Sequence, residues 1–361
     1  MRSDEGPTLL DLTFEELEER LGGLPRFRAR QIWQGVYRDL AASYEGITTL
    51  PAELRDRLSV DLPFAVLEPI DESIGKDGLV RKDLHRLTDG EQIEAVLMLY
   101  AERSTACVSS QVGCALGCPF CATGQSGFVR NLSPGEIVAQ VLHAARRLRD
   151  DSRRLSHVVY MGMGEPLLNY DAVIRSIRIL NDSTGFGLGA RSFTVSTAGI
   201  PPGIDRLADE GLQVNLAVSL HAAEDRLRDR LVPVNRRHPI AQLLNAVRRY
   251  IDRTHRRVTF EIALMHNVND GETHAAAAGR LLHGLLCHVN LIPYNETPSG
   301  VTRRSTAERI EAFAARLAEG GIPVTIRKRM GTDIEAGCGQ LRARKRSAGA
   351  SEEERRAGTT P

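Results

Sequence analysis

Cys114, Cys118 and Cys121 form a Cys-x3-Cys-x2-Cys run, preceded by Cys107 in the segment Cys-Val-Ser-Ser-Gln-Val-Gly-Cys of residues 107–114. Three thiolates so close in sequence cannot pair as disulfides without leaving one over. They can ligate three irons of a [4Fe–4S] cluster, whereas clusters that only carry electrons normally have four protein ligands. A missing fourth ligand leaves one iron open. The spacing therefore points to a cluster that binds and reductively cleaves a small molecule. A structural zinc site, with Cys107 or a histidine as fourth ligand, is the alternative. The chain has no second Cys-x2-Cys pair to complete such a site.

The rest of the composition narrows the setting. Six cysteines in 361 residues do not make a disulfide scaffold; they fit a reducing cytoplasm in which thiols serve metal or redox chemistry. The opening Met-Arg-Ser-Asp-Glu-Gly-Pro lacks an apolar signal core, and no run approaches membrane-spanning length, so no membrane partner is expected. A formal net charge of +1 excludes a whole-molecule positive field, and any nucleic-acid contact must come from local basic patches. Monomer is the default oligomeric state.

Four stretches follow from the patterning. Residues 1–62 read as a small helical domain: Thr13 and Glu16 form a capping box, residues 28–37 place Ile32 and Val36 on one face, and a third helix follows Pro51. Residues 63–100 read as a β-hairpin extension, with strands at 79–87 and 92–100 around the Asp89-Gly90 turn. Residues 101–341 alternate strands and helices, with apolar runs at 157–161, 193–196, 214–219, 258–264, 289–292 and 324–326. One intervening helix opens at Ser133-Pro134-Gly-Glu136, a capping box with proline in the first turn. This alternation predicts an α/β fold with parallel strands and right-handed crossovers. Six units are too few for an eight-fold barrel, so a partial one is expected. Residues 342–361 lack apolar periodicity and are expected to be a disordered tail.

The cysteine triplet falls on the loop after the first barrel strand, at the rim where barrel enzymes place their active sites. The second strand runs into Tyr-Met-Gly-Met-Gly-Glu-Pro (160–166), where glycines permit close backbone approach and Glu165 can accept bonds from an ammonium group. The cysteine triplet followed by this Gly-Glu element resembles the radical SAM superfamily. That resemblance implies that S-adenosylmethionine binds the open iron and that Gly164 and Glu165 hold its amino group.

Further motifs sharpen the resemblance. They are residues 107–114, Gly-Met-Gly-Glu-Pro-Leu-Leu-Asn (162–169), Ser-Thr-Ala-Gly (196–199), Ser-Leu-His (219–221), His-Val-Asn-Leu-Ile-Pro-Tyr-Asn (288–295) and Asp-Ile-Glu-Ala-Gly-Cys-Gly-Gln-Leu (333–341). Together they resemble the RlmN/Cfr methyltransferases over about residues 10–341. The fold implied is a partial (β/α)6 TIM-like barrel of the radical SAM type, with a helical RNA-binding domain and a hairpin extension. The activity implied is methylation of an adenosine in 23S rRNA, at C2 in the RlmN branch and C8 in the Cfr branch. Pro166-Leu-Leu-Asn169 resembles the RlmN version, since Cfr-type proteins tend to have alanine for the proline. That branch also includes enzymes acting on tRNA, and a flavodoxin is the implied electron donor.

The resemblance also assigns roles. Cys114, Cys118 and Cys121 hold one [4Fe–4S] cluster. Cys338 carries a methyl group taken from a first S-adenosylmethionine, and a second supplies a radical that activates it. Cys107 resolves the RNA adduct through a transient disulfide, and Glu94 accepts the C2 proton. Ser196, Ser219, Leu220, His221 and Asn295 surround the S-adenosylmethionine, and Phe120 covers its adenine. From the residues alone, Glu94 reads as an outward-facing strand carboxylate, Cys107 as a small buried hydrophobe, and Cys287 as packing within a helix. A rival from another class is a non-catalytic RNA-binding protein stabilised by zinc or a cluster. Arginines recur at 146–147, 153–154, 226, 228, 230, 236–237, 248–249, 256–257, 327 and 329; those near barrel loops, above all 327–329, are candidates for phosphate contact.

Overall fold

The computed structural model describes residues 6–64, 67–297 and 302–342. Three N-terminal helices come first: α1 (Phe14–Arg20), α2 (Arg26–Tyr37) and α3 (Ala52–Asp61). Strands β1 (Glu68–Ile74), β2 (Val80–Arg86) and β3 (Gln92–Leu99) then form an antiparallel meander that leads into β4 (Ser104–Cys107). A small hairpin, β5 (Gln111–Gly113) with β6 (Phe128–Asn131), brackets the cysteine loop and the short helix α4 (Ala122–Gln125).

The remaining chain alternates: α5 (Pro134–Asp150), β7 (His157–Tyr160), α6 (Tyr170–Asn181), β8 (Phe193–Thr197), α7 (Pro201–Asp209), β9 (Asn215–Ser219), α8 (Asp225–Leu231), α9 (Ile240–Thr254), β10 (Val258–Leu264), α10 (Glu272–Leu282), β11 (Cys287–Pro293), α11 (Ala307–Glu319) and β12 (Val324–Ile326). One sheet runs in the order β1-β2-β3-β4-β7-β8-β9-β10-β11-β12. From β4 onward every pairing is parallel, so six helical crossovers link seven parallel strands. β1 and β12 are its two edges, so the barrel is partial and open.

Strand parity aims the side chains. On β10, Glu261 and Ala263 line the central cavity, while Phe260, Ile262 and Leu264 are buried on the opposite face. Cys287 is a correction: it opens β11 and is buried there, not in a helix. Helix α10 ends at Leu282, and Gly284 at φ +76° turns the chain before the strand begins.

Helix α5 is apolar on nearly every side, with Ile137, Val138, Ala139, Val141, Leu142, Ala144, Ala145 and Leu148 all buried. A helix apolar all round must be covered all round. The N-terminal segment adds cover through the turn at Leu9–Asp11 and the loop after α2. Asp11 Oδ1 accepts from Gly135 N–H at 2.7 Å, and the Arg146 guanidinium donates to the carbonyls of Leu40 and Ala41 at 2.9 and 2.8 Å. One contiguous apolar cluster consequently runs from Leu9 to Leu341. The expected tail lies outside the described residues apart from Arg342, and no helix among the described residues is long and apolar enough to cross a membrane.

Both capping boxes form. Ser133 Oγ accepts from Glu136 N–H at 3.1 Å, and Glu136 Oε2 accepts from Ser133 N–H at 2.8 Å. Ser133→Ala is expected to destabilise the fold by about 1 kcal/mol, read as a lower urea midpoint with unchanged slope.

Candidate active site

The C-terminal ends of the parallel strands converge on one cavity. Cys114, Cys118 and Cys121 line it, with Phe120 among them. Gly113 makes the approach to Cys114 possible: its φ is +73°, and a Cβ there would lie 1.9 Å from the Gly127 carbonyl oxygen. Burial raises all three thiols above their ordinary range, Cys114 to about 12, with further repulsion among the sulfurs. A metal that replaces the three protons removes that penalty.

Opposite the cysteines, Glu165 is buried and held from two directions. Its Oε2 accepts from Ala198 N–H at 2.7 Å and its Oε1 from Leu167 N–H at 3.0 Å. Burial nevertheless pushes its pKa up to about 7. A buried carboxylate in this state is a receptor for a cation. Gly164, at φ +102°, lets the loop pass close to Gln111: an added Cβ would lie 2.6 Å from the Gln111 Cβ. Gln111 in turn accepts the Glu165 N–H through its Oε1 at 2.8 Å.

Ser196, Ser219, His221 and Asn295 also line the cavity. His221 has φ +56°, and its Nδ1 accepts from Ala263 N–H at 3.0 Å, which leaves the ring proton on Nε2. Burial, helped by Arg228, pushes its pKa down to about 3, so the ring is neutral. It meets the Phe120 ring edge to face at 4.8 Å. Leu220 differs: it is fully buried and is not among the lining residues. Its carbonyl accepts from Arg228 Nε at 3.1 Å.

Cys338 is exposed and lines the same cavity as the cysteine triplet. Its loop is held at several points. Ala122 N–H donates to the Gly339 carbonyl at 2.7 Å, Asn295 Nδ2 to the Cys338 carbonyl at 3.3 Å, and Gln340 Nε2 to the Glu296 carbonyl at 2.9 Å. Arg327 Nη1 is 4.0 Å from the Cys338 sulfur and 3.8 Å from Glu261 Oε2. Cys107 does not line the cavity. It is buried, which pushes its pKa up to about 12, and the charge of Cys338 reaches it.

Glu94 overturns the reading of an outward carboxylate. It is 4% exposed, its Oε1 is 3.2 Å from Lys82 Nζ, and its Oε2 accepts from Arg342 N–H at 2.7 Å. It lies outside the cavity, against the segment that carries Cys338. Sequence patterning also passed over Glu261, a lone carboxylate in the apolar β10 run with the same inward parity as Ala263. That parity is the signal that could have found it.

Residues 108–278 match the Radical SAM superfamily. A crystal structure of a radical SAM methyltransferase from Sphaerobacter thermophilus is 54% identical and superposes with a TM-score of 0.93, covering 94% of this chain and 100% of that one. A "probable dual-specificity RNA methyltransferase RlmN" of Chloroflexus aurantiacus is 49% identical over 349 residues, 93% of each chain. A second, of Geobacillus kaustophilus, is 45% identical over 94% of this chain and 93% of its own. The chain belongs to the RlmN family of radical SAM methyltransferases. Membership brings S-adenosylmethionine and an iron–sulfur cluster as the family's cofactors, and the three thiols and the buried Glu165 are donors that suit them.

For an RlmN-family enzyme the arginines divide into two groups. Arg228 is fully buried and donates to the carbonyls of Leu220, Ser219 and Ala198, so it is internal framework, not a phosphate contact. Arg146, Arg153 and Arg256 likewise donate to main-chain carbonyls. Arg226, Arg230, Arg236, Arg237, Lys328 and Arg329 are exposed. The first four flank Val232, which lines the cavity.

Gly164→Ala is expected to cost about 1–3 kcal/mol through backbone strain, on top of its clash with Gln111. Chemical denaturation measures it; a variant as stable as the parent would show that the turn can relax.

Proposed function

We propose that this chain methylates C2 of an adenosine in 23S rRNA, and an adenosine of tRNA beside the anticodon, through a methyl group carried on Cys338. The observation that carries the proposal is the shared cavity: a single exposed thiol, Cys338, opens onto the same space as the three cluster cysteines. The carbon at C2 lies between two ring nitrogens and is electron-poor, so it does not attack a methyl electrophile. Cys114, Cys118 and Cys121 would hold one [4Fe–4S] cluster, which with S-adenosylmethionine would supply a 5′-deoxyadenosyl radical able to take hydrogen from an unactivated methyl group.

The chain's own residues do the rest. Cys338 accepts the methyl group by displacement on its sulfur, which lies 4.0 Å from Arg327 Nη1. Glu165 receives the ammonium of S-adenosylmethionine. Ser196, Ser219, His221 and Asn295 hold its polar groups, and Phe120 flanks its adenine. Glu94, whose Oε1 is 3.2 Å from Lys82 Nζ, accepts the C2 proton. Once hydrogen has been removed from the methyl on Cys338, its carbon bonds to C2; the adduct gives up the C2 proton to Glu94 and its odd electron to the reducing system. The Cys107 thiolate then attacks the Cys338 sulfur, the S–C electron pair leaves on the product carbon, which takes a proton to become the methyl group, and the Cys107–Cys338 disulfide is reopened by an external two-electron supply of the flavodoxin type. The exposed basic residues around Val232 and at Lys328–Arg329, with the N-terminal helices, grip the RNA phosphates, and the target base must be unstacked to reach the thiol. Two S-adenosylmethionine molecules are used per methyl group.

Reconstituted enzyme, reductant, S-adenosylmethionine and protein-free 23S RNA are expected to give 2-methyladenosine by nucleoside mass spectrometry. 8-Methyladenosine, or no methylated adenosine from a preparation that still cleaves S-adenosylmethionine, overturns the proposal. Cys338→Ala is expected to abolish methylation with the cluster retained. Cys107→Ala is expected to leave RNA covalently attached to Cys338, visible as a shifted band.

Glu165 adds a pH dependence. Its folded pKa of about 7 lies above the ordinary 4.5, so the carboxyl stays protonated in the free site below about pH 7. Its contribution to stability is full below the ordinary value and is lost as pH rises through about 7. An ammonium ligand selects the ionised form, so affinity for S-adenosylmethionine is expected to rise from pH 6 to pH 8 by up to about tenfold. Calorimetric titration at several pH values checks this, and Glu165→Gln is expected to flatten the profile.

A further inference from the structure

Outside the cavity lies a group of side chains that the chemistry above does not use. Asp83 and His85 stand two residues apart on β2 and so share one face of the strand. His143 faces them from α5. The ligand atoms of all three lie within 4.8 Å of one another. Asp83 is 4% exposed and His85 0%. Asp83 Oδ1, both ring nitrogens of His85, and Nε2 of His143 are buried without a hydrogen-bond partner. His143 Nε2 is 3.5 Å from Asp83 Oδ1, outside good hydrogen-bond geometry, and the two imidazoles meet edge to face at 4.8 Å. A buried polar atom left unsatisfied costs about 1–3 kcal/mol. Three of these atoms, one from each residue, come together at one point, and a shared partner would satisfy them.

We propose that Asp83, His85 and His143 bind one divalent transition-metal ion of the zinc class. Two imidazoles and a carboxylate are a zinc-type donor set, with the fourth position open to water. Calcium and magnesium call for oxygen ligands throughout and are disfavoured. The protonation states suit a cation. Burial, with repulsion from His143, pushes His85 down to about 4, so its lone pair is free at neutral pH. Against the opposing effect of burial, His143, His85 and Arg147 hold Asp83 below its usual range, so it is ionised. The Arg147 guanidinium is 3.8 Å from Asp83 Oδ1, but it is also 3.3 Å from Glu72 Oε1, which offsets its charge.

The ion ties β2 of the hairpin extension to α5 of the barrel. Strand parity puts Asp83 and His85 on one face of β2 and Lys82 on the other, where Lys82 meets Glu94. The site therefore braces the strand that holds Glu94 without touching the cavity. It is independent of the RNA assignment.

The test uses the full-length, cluster-loaded protein, freed of loosely bound metal and titrated with zinc, and with cobalt as a spectroscopic probe. One equivalent of cobalt is expected to give a visible ligand-field band without thiolate charge transfer, and zinc to raise the melting temperature. His143→Ala, which removes a ligand from the outer helix, and Asp83→Asn are expected to bind at least about 100-fold more weakly, with cluster content and circular dichroism unchanged. Equal zinc affinity in wild type and His143→Ala overturns the proposal. So does a cobalt spectrum with thiolate charge transfer, which would place the metal on cysteines; that spectrum decides the point even if a variant fails to fold.

Discussion

The cavity depends first on keeping a carboxylate in a place where water does not reach it. Glu165 is buried, and its two oxygens take the N–H groups of Leu167 and Ala198. The bond from Ala198 joins the loop after β7 to the loop after β8, so the acid that shapes the site also ties adjacent strand ends together. Gly162 and Gly164 allow this because any side chain there would collide with the main chain at Val108 or with Gln111. Strand ends, cysteine loop and acid are thus one mutually constrained unit.

A second buried charge plays the corresponding part on the next strands. Arg228 sends its guanidinium to three main-chain carbonyls, those of Ala198, Ser219 and Leu220, and to Asn235 Oδ1 at 2.7 Å. Those carbonyls lie at the ends of β8 and β9, where a loop would otherwise bury acceptors without donors. The cost of burying the charge shows as a guanidinium pKa pushed down to about 10. Positive and negative buried groups on neighbouring loops fix the rim on which Ser196, Ser219 and His221 are displayed.

Much of this was legible in the chain because the signals are local. The cysteine spacing, the Gly-Glu turn, both capping boxes and the parallel alternation each occupy a short window, and each was read without knowing what lay across the fold. What escaped depends on partners far away in sequence. Glu94 reads as a surface carboxylate until Lys82 and the main chain of Arg342 are brought against it. Arg228 looks like one of many helix arginines until its carbonyl partners appear. His85 and His143 are separated by most of the hairpin and by the cysteine loop, so nothing local pairs them. Cys287 was misplaced by a local signal, since Leu285-Leu286 continues a helical pattern that Gly284 has already ended.

The two-sided burial of α5 has a consequence for how the chain is made. Leu17, Ile32, Trp33 and Val36 belong to the same apolar cluster as α5, yet they are synthesised about a hundred residues earlier. Until residues 134–150 have emerged, the chain lacks α5 and the part of that cluster it carries. Apolar surface left open during synthesis is the kind that chaperones engage.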